Sequence, residues 1–143
     1  MSVVLWREKL SDRHPGQISD GNKGCQQHRR EETKVNYFIV NREQLSRDGN
    51  TYELQGYQYG STTISLILVD VPPGEGPKLH VHPYEEVFVI QEGCATYTIG
   101  STTLEAKAGQ IAIVPAGVPQ KFVNSGSGRL LQVDIHHSPR FIT

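Results

Sequence analysis

The 143-residue sequence has only two cysteines, one methionine and one tryptophan, and no long apolar run. Cys25 and Cys94 cannot build a disulfide framework or a zinc knuckle, so reduced thiols and a cytoplasmic setting are expected. No stretch approaches the roughly 18 apolar residues of a membrane-spanning helix, so no membrane association is expected. Val3-Val4-Leu5-Trp6 is too short for the apolar core of a signal peptide, and no basic segment precedes it. An excess of one charge is also missing: 14 Lys and Arg stand against 15 Asp and Glu, for a formal net charge of −1. A nucleic-acid binder normally carries a basic face, so nucleic acid is not an expected partner.

Apolar residues are also scarce locally. Between Arg7 and Lys34 only Leu10, Ile18 and Cys25 are apolar, and the stretch carries His28-Arg29-Arg30-Glu31-Glu32. Such a segment buries too little surface to offset the entropy of ordering. Residues 1–34 therefore read as a polar extension, flexible or serving as a dimer arm through Val3–Trp6, and residues 35–143 as the folded domain. That remainder suffices for one small core.

From Val35 onward short apolar or alternating runs are punctuated by Gly and Pro: Val35–Val40, Thr51–Tyr59, Ser61–Val71, Val87–Ile90, Ala95–Ile99, Ile111–Val114 and Leu130–Ile135. Asp48-Gly49-Asn50 is a turn signal, and Asn41–Leu45 has room for one helical turn. This texture predicts an all-β sandwich or barrel.

The chemistry concentrates in Gly74–Gly93. His80 and His82 are two apart, so on a strand both imidazoles face one way. Glu86 has the same parity and can join them once Pro83-Tyr84 has turned the chain. Two His and a carboxylate with open positions form the facial triad of non-haem iron(II) chemistry, and also suit manganese, nickel or zinc. His136-His137 cannot both face one ion, because adjacent strand residues point oppositely. Glu85 has the opposite parity to Glu86 and reads as a solvated carboxylate, or as the ligand if the register slips by one. Cys94 reads as a small packing residue.

The spacing of Gly74, His80, His82, Glu86 and Gly93, followed by Gly109, Pro115, Gly117, Gln120 and Asn124, resembles the two motifs of the cupin superfamily. Nine of these ten positions agree; the exception is Gln120, where the family pattern has His. The resemblance extends over about 35–143, and the closing residues 133–141 look like the end of small single-domain bacterial cupins. It implies a double-stranded β-helix, a jelly-roll barrel, with His80, His82 and Glu86 as ligands of one divalent transition metal ion and Gln120 in the fourth position. There Gln120 either ligates through its amide oxygen or bonds to bound water or substrate.

Parity places Phe88 and Ile90 with Glu86, and Phe122 and Asn124 with Gln120, on the inward face. Tyr97, Tyr57, Tyr59 and Gln91 are candidates for polar groups at the mouth. Gly93 and Gly109 occupy turns that suit positive φ, and Pro115 and Pro119 bracket Gly117 in a turn that aims residue 120 inward. The expected function is a metal-dependent dioxygenase or related oxidoreductase acting on a small organic molecule. The alternative is a non-catalytic barrel that captures a small molecule or sugar, its metal structural or absent. No general base stands out. A homodimer is the expected assembly.

Overall fold

The computed structural model describes residues 36–143; the expectations for residues 1–34 lie outside this range. After a 3-10 turn at Arg42–Gln44, nine strands follow: β1 (Ser46–Asp48), β2 (Thr51–Leu54), β3 (Ser65–Val71), β4 (Glu86–Glu92), β5 (Cys94–Ile99), β6 (Thr102–Lys107), β7 (Ile111–Val114), β8 (Gln120–Asn124) and β9 (Leu130–His136). All pairings are antiparallel. One sheet runs β1-β2-β3-β9-β4-β7 and the other β6-β5-β8. The described residues form an all-β jelly-roll barrel. Among the described residues, no helix is long and apolar enough to cross a membrane.

The alternation in sequence becomes alternation in burial. In β4, Glu86, Phe88 and Ile90 face inward; in β8, Gln120, Phe122 and Asn124 do; in β9, Leu130, Gln132, Asp134 and His136 do. Val69, Phe88, Ile90, Ala95, Tyr97, Val114, Phe122 and Leu130 fill the space between the sheets. Phe88, Tyr97 and Phe122 meet at ring-centroid distances of 5.2–6.0 Å, in the tilted and edge-on arrangements that aromatic quadrupoles favour.

Turns separate the strands where positive φ is available. Gly93, between β4 and β5, has φ +83°, and a Cβ there would lie 2.5 Å from the Arg129 carbonyl oxygen. Only glycine fits both demands.

The expected runs are trimmed in places: Thr51–Tyr59 is a strand only to Leu54, and Ser61–Val71 only from Ser65. Residues 36–40 are not in a strand, and Tyr37 and Ile39 stand 79% and 88% exposed. Apolar content alone does not make a strand without a neighbouring edge. Conversely, Thr102–Lys107 forms β6 although it carries little apolar pattern; only Ala106 is buried, because this edge strand shows most of its surface to solvent.

Candidate metal centre

Two elements bring the candidate ligands together. His80 lies outside the regular strands but exchanges two backbone hydrogen bonds with Gln120, His80 N–H to Gln120 O at 3.0 Å and Gln120 N–H to His80 O at 2.8 Å. The Gly117 N–H donates to the His82 carbonyl at 2.8 Å, with Gly117 at φ +77°. The Pro115–Pro119 turn is thereby stitched to the His80–His82 segment. Glu86 opens β4 beneath them. His82, Glu86 and Gln120 are buried and His80 is half-buried. One donor atom each from His80, His82 and Glu86 lie within 4.8 Å of one another.

The backbone sets the imidazole tautomers. His80 Nδ1 sits 2.7 Å from the Lys78 carbonyl and His82 Nδ1 sits 2.6 Å from the Ile142 carbonyl. A carbonyl only accepts, so in both rings Nδ1 carries the proton and Nε2 holds the lone pair. Tyr84 steadies His82 further: the rings stack at 4.8 Å and 11°, and the Tyr84 hydroxyl accepts the Ile142 N–H at 3.1 Å.

This leaves an electrostatic conflict. The His82 Nε2 lone pair faces Glu86 Oε2 at 3.2 Å, and Nε2 has no hydrogen-bond partner. Two acceptors at that distance repel unless positive charge lies between them. Donor atoms on an ion with bonds of about 2.0–2.2 Å stand roughly 3 Å apart. The residues therefore fit a divalent cation.

Burial acts in the same direction. It pushes the Glu86 carboxyl up to about 7, with the Gln120 hydrogen bond opposing, and it lowers His82, with the Ile142 carbonyl opposing. A bound cation would offset the cost of that burial by favouring the charged carboxylate and the neutral imidazole together.

Gln120 lies at the carboxylate. Its amide Nε2 donates to Glu86 Oε2, while its Oε1 is buried without a partner. Glu85 is exposed, so the slipped register does not occur.

One residue in this cluster was not among the predicted ligands. His136, the last residue of β9, is 2% exposed, with its Nε2 3.2 Å from Glu86 Oε1. His136 and His137 do point oppositely, as their parity requires; but one of an opposed pair must face inward, and the alternating set Leu130, Gln132, Asp134, His136 carried that signal. His137 is exposed. Burial drives the His136 imidazole down to about 3, helped by His82 and His80.

Tyr97 is not at the mouth. It is buried in the core, where its hydroxyl donates to Gln132 Oε1 at 2.7 Å, and Gln132 Nε2 donates to Asp134 Oδ1 at 2.7 Å. Burial raises the Asp134 carboxyl well above its ordinary value. Gln91 is exposed, Tyr57 lies under the Arg140 guanidinium at 3.9 Å, and Tyr59 packs on Phe38. None of these three lines the cavity.

The cluster opens into a cavity of about 1050 Å³ with walls that include Ile67, Val69, Phe88, Phe122 and Phe141. Asp48, Glu53, Asp70, Glu75 and Asp134 also line it, and Arg47 is the single Lys or Arg among the lining residues.

A β-barrel that gathers imidazoles and a carboxylate against its inner wall defines a class of metal-site folds. Residues 67–136 match the family model described as a cupin domain. Residues 67–136 therefore form a cupin domain. Among solved structures it is similar to the S161A mutant of Bacillus subtilis oxalate decarboxylase, with 26% identity, TM-score 0.60 and coverage of 68% of this chain and 28% of that one. It is also similar to a B. subtilis oxalate decarboxylase studied by EPR for its Mn(II) centers, with 26% identity, TM-score 0.62 and coverage of 70% and 29%. The Lactobacillus farciminis oxalate decarboxylase formate complex shares the fold at 22% identity and TM-score 0.58, with coverage of 64% and 29%. This chain thus spans less than a third of the length of those proteins. Comparison with curated proteins gives no match.

Proposed function

We propose that this cupin is a metal-dependent enzyme, a dioxygenase or related oxidoreductase, that acts on a small neutral organic molecule. The observation that carries the reading is the unpartnered His82 Nε2 lone pair held 3.2 Å from Glu86 Oε2. His80, His82 and Glu86 would hold the ion, which is iron, manganese, nickel or zinc. Such an ion supplies Lewis acidity and open positions for substrate and co-substrate. The protein's own contribution is to fix the donors: the Lys78 and Ile142 carbonyls hold the two imidazoles in one tautomer, and the barrel excludes bulk water from Glu86.

The cavity wall supports the substrate class. Its acidic side chains, with Arg47 alone opposing them, give a dianion little beyond the ion itself to bind. Apolar walls around a few polar groups suit a small neutral ligand. The oxalate chemistry of the similar structures is therefore not carried over. Non-catalytic capture of a small molecule is the second reading, favoured by Gln120, whose amide is engaged with Glu86.

The same proposal makes the protein a cytoplasmic homodimer. Ile111 and Ile113 support the dimer: they lie on the sheet-edge strand β7, 62% and 59% exposed.

The test is oxygen uptake together with substrate consumption by iron(II)-loaded protein across a panel of phenols, thiols and diketones, with oxalate alongside. Turnover of a neutral substrate, abolished in Glu86→Gln and absent with oxalate, is expected. Saturable binding without turnover would favour capture, and turnover of oxalate alone would overturn the substrate class.

A further inference from the structure

We infer that His136 is a third imidazole ligand of the metal centre, and that Gln120 is a positioning residue for Glu86 rather than a ligand. The inference rests on the metal-binding reading above and adds to it a residue from outside both sequence motifs.

The register places His136 there. β9 lies between β3 and β4, and His136 is the direct cross-strand partner of Glu86. Directly opposed residues of an antiparallel pair project to the same face. Here that face is the barrel interior, and the result is the 3.2 Å approach of His136 Nε2 to Glu86 Oε1. The same separation joins His82 Nε2 to the other carboxylate oxygen. Glu86 is thus flanked by two ring nitrogens, one at each carboxylate oxygen.

The hydrogen-bond inventory shows that this approach is not a satisfied hydrogen bond. Neither nitrogen of His136 has a partner, although the ring is 2% exposed. Buried imidazoles normally find partners. The ring is also held in place, edge-on to His82 at 5.0 Å and to Phe141 at 4.8 Å. An oriented imidazole with idle nitrogens beside a carboxylate is arranged as a ligand.

Gln120 is arranged as a donor. The atom it presents to Glu86 is the amide nitrogen, which cannot ligate; the amide oxygen, buried without a partner, is left as an acceptor for water or substrate. That bond fixes the carboxylate plane between the two imidazoles, a role that neighbours of metal ligands commonly play. At the position where the family pattern carries an imidazole, this chain thus carries a carboxylate clamp, and the imidazole comes from β9. The resulting set, His80, His82, His136 and Glu86, has three borderline nitrogens and suits zinc, nickel, cobalt or iron(II).

The test uses full-length protein and zinc alone. With 15N-labelled histidine, ring-nitrogen NMR counts the histidines whose Nε2 resonance moves on zinc binding. Three are expected in the wild type and two in His136→Gln. Chelator competition should show zinc affinity at least about tenfold lower in His136→Gln, and a smaller loss in Gln120→Ala. A count of two in the wild type, or wild-type affinity in His136→Gln, would overturn the inference and leave the metal-binding reading standing. Failure of the wild type to take up zinc would overturn both. Should His136→Gln not fold, the wild-type count decides alone.

Discussion

His80 and Gln120 are joined by a pair of backbone hydrogen bonds, 3.0 and 2.8 Å long, that bridges an irregular segment to the first residue of β8. The bridge ties the His80–His82 segment to β8 at the candidate centre. A ligand that binds there sees the folded chain and not the unfolded one, so metal should stabilise the fold.

At a hundredfold excess over its dissociation constant, a divalent ion should add about 2.7 kcal/mol. Urea unfolding with and without zinc or manganese measures this. A midpoint that does not move with metal would contradict the coupling.

The support of His82 should be as measurable as the ligand itself. Tyr84 stacks on the ring and receives the Ile142 N–H, while the Ile142 carbonyl receives the ring proton. Tyr84→Ala should therefore weaken metal binding by roughly 10-fold or more while the far-ultraviolet circular dichroism is kept. Calorimetric titration checks it, and unchanged affinity would show that the stack is idle.

Tyr97→Phe should destabilise the protein with or without metal. Loss of the hydroxyl leaves Gln132 Oε1 buried without its 2.7 Å partner. An orphaned buried acceptor costs about 1–3 kcal/mol. Urea denaturation of the metal-free variant measures the loss.

Much of this architecture was legible in the sequence because the chain alternates where it is half-buried. Glu86-x-Phe88-x-Ile90 and Gln120-x-Phe122-x-Asn124 turn inward as their period of two requires. β7 runs over Ile111–Val114, as its apolar run and closing Pro115 indicate. What escaped did so for physical reasons. β6 has no apolar stripe because it is an exposed edge. Residues 36–40 have an apolar composition but no strand to pair with. Tyr97 is a candidate for the mouth by sequence because parity gives a side chain's direction and not its depth. Parity directs one member of His136-His137 inward, but the closeness of His136 to Glu86 depends on the β4–β9 register, which no local pattern encodes.

The exposed edge at β7 yields a prediction about assembly. Ile111 and Ile113 together present apolar surface that a second copy would cover. Wild-type protein should sediment as a dimer, and Ile113→Glu should shift it toward monomer at micromolar concentration. A wild-type monomer would contradict the proposed assembly.

The most direct test of the account is the metal content of wild-type and His82→Ala protein after incubation with equimolar zinc and removal of the unbound ion. About one ion per chain in the wild type and near none in His82→Ala is the predicted result, since His82 Nε2 is the lone pair aimed at Glu86. Equal zinc content in the two proteins, or none in the wild type, would contradict the metal centre on which the proposed function stands.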